Sequence, residues 1–190
     1  GINIVDGMDI QADKVQAPSW LRLQKVDIDK ENLPYPDNSF DSIYCGEVIE
    51  HVYDTDHLLN EIYRVLTPDG FCVITTPSLS SWINRLVLLL GFQPYQMPVS
   101  VENERAGHIK WAYMHGHRGH FRCFTHRGMK ELLQIHKFKI EKLEGWDVGD
   151  LSLYVHPRVL GKSVELVDKF FALFPSLGYR LGVVISKEAR

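Results

Sequence analysis

The chain has 190 residues, 45% of them hydrophobic and 24% charged, enough for one domain with a sizeable core. Its net charge of -3 lacks the basic excess that phosphate backbones require, so no nucleic-acid partner is expected. Cys45, Cys72 and Cys123 lie far apart, form neither a disulfide framework nor a CxxC knuckle, and point to a reducing, cytoplasmic setting.

Residues 2–8, INIVDGM, are rich in β-branched side chains and predict a strand ending at Asp9. ADKVQAP allows a turn or two of helix before Pro18 stops it. WLRLQKV alternates apolar and polar residues, which predicts a second strand leading to Asp27; Asp29 reads as a surface residue. PYPDNS is turn chemistry, with Asp37 and Asn38 able to bond their own backbone. FDSIYC predicts a third strand ending at Gly46.

The period then changes. Leu58, Leu59, Ile62, Tyr63 and Leu66 recur at helical spacing, Asp54 or Thr55 can cap the start, and TPDG stops the helix. FCVITTP is a nearly unbroken apolar run, the pattern of a strand buried on both faces, and it completes a βαβ unit. Beyond it, SWINRLVLLLGF predicts a helix and QPYQMPVSVENERAG a long irregular segment. THRGMKELLQIHKF predicts a helix carrying Met129, Leu132, Leu133 and Ile135, and KFKIEKLEG a strand. KSVELVDKFFALFP reads as an amphipathic helix and YRLGVVIS as a closing strand. The longest apolar run, residues 86–92, is too short to cross a bilayer. No repeat or linker divides the chain, so a single α/β domain over residues 1–190 is expected.

In open parallel sheets, ligands sit outside the carboxyl ends of strands. Asp9, Asp27 and Cys45-Gly46 end three successive strands and can line one crevice. An acid in that position can hold a ribose diol, or it can simply cap a helix or serve a turn. Glu47, Glu50 and His51 follow the third strand. If they begin a helical turn, Glu47 shares a face with Glu50 and with His51. Histidine is the side-chain type suited to proton transfer near neutrality, which makes His51 the candidate base, although the same residues can equally shape the site, and Glu50 can bond backbone or helix groups. In HGHRGHFRCFTH, the spacing of His115, His117 and His120 would suit zinc only if the loop wrapped. No local carboxylate or cysteine completes the set, so no metal is expected. His120 and Arg122 are read as lining an acceptor side or anchoring the next helix, the Arg122 fork being suited to carboxylate or phosphate.

VDGMDI, LPYPDNSFDSIYCGEVIEHV, LLNEIYRVLTPDGFCVITTP and GHFRCFTHRGMKELLQIHKFKIEKLEG resemble, in that order, the class I S-adenosylmethionine-dependent methyltransferases that act on small molecules, the "type 11"-like family. The resemblance runs from Val5 to Gly145, and YRLGVVISKEAR is similar to the family's last strand. It implies an α/β fold with a Rossmann-like, mostly parallel sheet and helices on both faces, and S-adenosylmethionine as cofactor. It further implies that Asp9, with Ile10 beside it, holds the ribose hydroxyls. Asp27 and Ile28 would cradle the adenine, the carboxylate taking the amine and the aliphatic chain covering the ring. The Cys45-Gly46 backbone would face the methionine portion. Related enzymes with very different acceptors carry the same Glu-His pair, which favours a role in shaping the site; by position His51 and Glu47 are still the candidate catalytic residues, and His120 and Arg122 the candidate acceptor contacts.

Residues 82–124 would form an acceptor-site lid and residues 151–178 a helical insert. Trp82, Leu86, Leu89, Leu90 and Phe92 would suit a lipid-linked or aromatic acceptor, or else ordinary core or self-association. The family's first strand and glycine-rich loop would lie ahead of VDGMDI; Gly7 matches the glycine of its second strand instead. A chain opening at Gly1 without methionine therefore reads as N-terminally shortened, short of one strand and weak in cofactor binding by itself. The expected activity is methyl transfer to a small-molecule or glycan- or lipid-linked acceptor. The alternative is an inactive methyltransferase-like binding or scaffold protein.

Overall fold

A computed structural model describes residues 5–109, 119–147 and 158–188. His115, His117 and the beginning of the expected helical insert lie outside these residues. In chain order the elements are β1 (Val5–Asp9), a 3-10 turn (Ala12–Lys14), β2 (Leu21–Lys25), β3 (Phe40–Gly46), α1 (Thr55–Val65) and β4 (Leu66–Pro77). They continue with α2 (Trp82–Leu89), α3 (His126–Ile135), β5 (Phe138–Trp146), α4 (Arg158–Ala172) and β6 (Arg180–Lys187). Every strand and helix read from periodicity has its counterpart.

Local chemistry sets the boundaries. The Asp54 side chain accepts from the His57 N–H to cap α1, and Ser81 and Thr125 cap α2 and α3 in the same way. TPDG does not separate helix from strand as expected: β4 begins at Leu66, directly after α1, and the β3–β4 register slips between Phe40 and Ser42 to absorb it.

The strands fall into two sheets. β1 and β2 pair in parallel; β3, β4, β6 and β5 form a four-stranded sheet in that order. Within the larger sheet β3 and β4 are parallel, while β6 runs antiparallel to both of its neighbours. Among the described residues no ladder joins β1 to β3. The two pieces meet through side chains instead: Val26, Leu33 and Val65 form a cluster with Ile28, Tyr35, Phe40 and Ile43 packed on it.

The main core lies on one face of the larger sheet. Cys45, Cys72, Ile74, Val183 and Ile185 from the strands meet Leu59 and Ile62 of α1 and Met129 and Leu133 of α3. Complete burial on both faces was expected for β4. Cys72 and Ile74 are fully buried, but Phe71 on the opposite face is 47% exposed, and Tyr44, across from Val73, is 73% exposed.

Candidate active site

The parallel β1–β2 register places Asp9 opposite Lys25, so Asp9 and Asp27, two residues past β2, stand at the same carboxyl end. Asp9 accepts from the Gln11 N–H at 2.6 Å. Asp27 pairs with Lys30 at 2.6 Å and accepts from the Asp29 N–H at 3.2 Å, and Lys30 holds its carboxyl below the usual range. Ile10 is exposed, whereas Ile28 packs partly into the core, so only a part of its side chain remains to cover a ring. Asp29 is no idle surface group: its Oδ1 accepts from the N–H groups of Tyr53 and Asp54 at 2.8 and 2.9 Å. That carboxylate ties the end of β2 to the entry of α1.

The Cys45 thiol is buried and pushed up to about 12, so at this strand end only its backbone is available. The Tyr44 phenol leans over Gly46 into the space that a β-carbon would fill. An exposed aromatic covering the strand tip is a feature that sequence reading missed.

After Gly46 the chain does not form the helical turn considered above. Glu47 adopts φ 53°, the left-handed region in which a non-glycine residue is uncommon, and α1 starts only at Thr55. The Glu47 N–H bonds to the Thr75 carbonyl at 2.9 Å, extending the β3–β4 ladder by one rung. Its carboxylate accepts from the Thr75 hydroxyl at 3.1 Å and lies 3.8 Å from Arg180. Glu47 and Glu50 therefore occupy different surroundings rather than one helix face. Glu50 is completely buried, and Thr76 donates to its Oε2 at 3.0 Å. Its Oε1 has no hydrogen-bond partner. Burial pushes the Glu50 carboxyl above the usual range, and the nearby Glu47 charge adds to the effect.

Two short bonds bring a distant loop onto this turn. The Phe121 N–H donates to the Glu50 carbonyl at 2.9 Å, and His51 Nδ1 donates to the Gly119 carbonyl at 3.0 Å. Gly119 sits at φ +83°, and a β-carbon there would press on His51 Nδ1 at 3.2 Å, so glycine is required twice over. His120 is thereby placed against His51, the ring centroids 4.6 Å apart and edge to face. His120 Nδ1 in turn donates to the Gln96 carbonyl at 2.9 Å, and burial lowers its pKa. One ligand atom each from Glu50, His51 and His120 lies within 4.8 Å of the others. The carboxylate absent from the histidine-rich stretch is supplied from the far end of β3.

Arg122 donates to Thr55 Oγ1 at 3.0 Å, anchoring the first residue of α1 rather than the helix that follows it in sequence. Trp82 is committed to packing: it donates to Asp168 at 2.7 Å and stacks on Phe171 of α4. Leu86, Leu89, Leu90 and Phe92 are exposed. The three cysteines are free, and no helix among the described residues is long and apolar enough to cross a membrane.

Residues 1–74 match the family described as "Methyltransferase domain". The chain is 40% identical over 89 residues, 46% of its length, to the demethylmenaquinone methyltransferase of Lactobacillus johnsonii. It is 33% identical over 90 residues to the ubiquinone/menaquinone biosynthesis C-methyltransferase UbiE of Desulfotalea psychrophila, again 46% of this chain. It spans 35% and 36% of those two enzymes. An S-adenosylmethionine-dependent methyltransferase of Mesorhizobium loti shares the fold with TM-score 0.55 at 18% identity, over 96% of this chain and 80% of that one. The matched segment contains both strand-end carboxylates and the Glu47–His51 turn, and the fold is the one found in Rossmann-like S-adenosylmethionine-dependent methyltransferases.

Proposed function

We propose that the protein binds S-adenosylmethionine at the carboxyl ends of β1, β2 and β3 and transfers its methyl group to a small-molecule acceptor. The observation that carries this reading is the convergence of Asp9 and Asp27 at one end of a parallel strand pair. Carboxylates there suit a ribose diol and an adenine amine. The cofactor supplies a methyl group on a cationic sulfonium. The protein's task is to align the acceptor and remove its proton.

Because His51 Nδ1 donates to Gly119, Nε2 carries the lone pair and can accept the acceptor's proton. The Glu47 carboxylate accepts from the Thr75 hydroxyl and lies near Arg180, and we assign it the supporting role in the pair. His120 lines the same side, and Arg122 acts through Thr55 on the entry of α1. Relatives named for demethylmenaquinone and ubiquinone/menaquinone methylation favour a quinol-type acceptor, and the exposed apolar residues of α2 would suit a lipid-linked tail. The reading includes a cytoplasmic location and no nucleic-acid partner.

Titration of the protein with S-adenosylhomocysteine tests the site. Asp27→Asn should weaken binding by about tenfold, or ~1.4 kcal/mol. Its effect on stability should be small, because the Lys30 partner is solvent-exposed and the pair is screened. Absence of binding by the protein, or binding unaffected by both Asp9→Asn and Asp27→Asn, would refute the assignment.

A further inference from the structure

We propose that Glu50, His51 and His120 form a binding site for a zinc-type divalent transition-metal ion. The inference goes beyond methyl transfer and does not depend on it.

Three observations support it. First, the ligand atoms are gathered from distant parts of the chain to within 4.8 Å of one another. Tetrahedral zinc with bonds of about 2.0–2.2 Å sets its ligands roughly 3.3–3.6 Å apart, so the cluster needs to close by about an ångström. His51, whose side chain is exposed, can supply that movement by rotating. Second, Glu50 Oε1 is completely buried without a partner. Such an atom is costly unless something occupies its lone pairs, and among the described residues no lysine or arginine does. The Thr76 hydroxyl already holds Oε2, which orients the carboxylate as an outer partner of a ligand would.

Third, both imidazoles are presented in the tautomer that metals use. His51 Nδ1 donates to the Gly119 carbonyl and His120 Nδ1 to the Gln96 carbonyl, so Nε2 carries the lone pair in each ring. A backbone carbonyl on the other ring nitrogen is the usual outer contact of a metal-bound histidine. Two imidazoles and one carboxylate suit zinc or another first-row ion and leave at least one position for an exchangeable ligand. An ion and a proton on His51 Nε2 exclude each other. Loading the site therefore converts His51 from a proton acceptor to a ligand, and an acceptor oxygen entering the open position would be activated by the ion.

The test is a titration of the chelator-treated protein with Co²⁺, and with Zn²⁺ in competition, in the absence of S-adenosylmethionine. Visible d–d absorption and bound metal per chain are the readouts. One ion per chain is expected, and His51→Ala and Glu50→Gln should each weaken its binding at least tenfold, while His126→Ala, outside the cluster, should leave it unchanged. Should the buried Glu50→Gln variant fail to fold, His51→Ala at an exposed position decides the matter, with its fold checked by circular dichroism. No stoichiometric binding, or an affinity that His51→Ala leaves unaltered, would overturn the proposal. Since no cofactor is present, either result leaves the S-adenosylhomocysteine test independent.

Discussion

Glu61 and Glu50 are both buried glutamates in the first half of the chain, and their surroundings are opposite in kind. Glu61 sits on α1 facing the 33–37 loop. It accepts from the Leu33 N–H at 2.7 Å and takes both Nε and Nη2 of Arg64, at 2.8 and 2.7 Å. Arg64 uses its remaining capacity on the carbonyls of Tyr35 and Leu33 and on Asp37. Every strong acceptor and donor there is matched, and the result is a brace holding a proline-rich loop to a helix. Glu50 instead has one oxygen on a threonine, one unmatched, two histidines alongside and, among the described residues, no lysine or arginine. The contrast teaches what separates a structural carboxylate from a candidate functional one. Burial is common to both, and completeness of pairing distinguishes them.

The sharpest way to break this comparison is to remove the cation from the complete site. Arg64→Met leaves Glu61 buried and unpaired, and should cost about 3–5 kcal/mol in urea unfolding. A loss below ~1 kcal/mol would mean that the brace adds little beyond an exposed ion pair. Next in size is Glu61→Gln, which keeps the Leu33 bond but surrenders the charge-assisted pair, at about 1–3 kcal/mol near neutral pH. Its pH dependence follows from the direction of the shift. Arg64 lowers the Glu61 pKa in the folded state below its unfolded value. The stabilisation is therefore present above the ordinary carboxylate range and is lost as pH falls through the folded value. Wild type and Glu61→Gln should converge in stability on acidification, as followed by urea midpoints from neutral to acid pH.

The smallest effect should come from Glu50→Gln. The substitution retains an acceptor for Thr76 and orphans no cation, so the stability change should stay below ~1 kcal/mol in the same urea assay. A loss as large as that of Glu61→Gln would show that Glu50, too, is structural.

Much of the fold could be read along the chain because its signals are local. Leu58, Leu59 and Ile62 reveal α1 by spacing alone, and Asp54, Ser81 and Thr125 announce helix starts through side chains that reach only a few residues ahead. Asp9 and Asp27 were likewise legible as strand-end carboxylates. What could not be read depended on contacts between distant segments. Asp29 looks like a surface acid until Tyr53 and Asp54 are seen on it. Arg122 reads in sequence as an acceptor contact or an anchor for the helix that follows, yet it bonds to the first residue of α1. Gly119 is unremarked in sequence, but it admits the His51 ring where any β-carbon would crowd it.

The amino-acid sequence by itself determined the order and type of the elements, the helix caps and the methyltransferase-domain likeness of residues 1–74, because periodicity, capping and motif spacing act over a few neighbouring residues. Only the tertiary structure decided that the strands separate into two sheets, that Glu47 turns left-handed instead of starting a helix, and that His120 meets Glu50 and His51. Those outcomes depend on which backbone donors and acceptors find each other across long stretches of chain, and on which polar atoms burial leaves unmatched. Neither is encoded in any short run of residues.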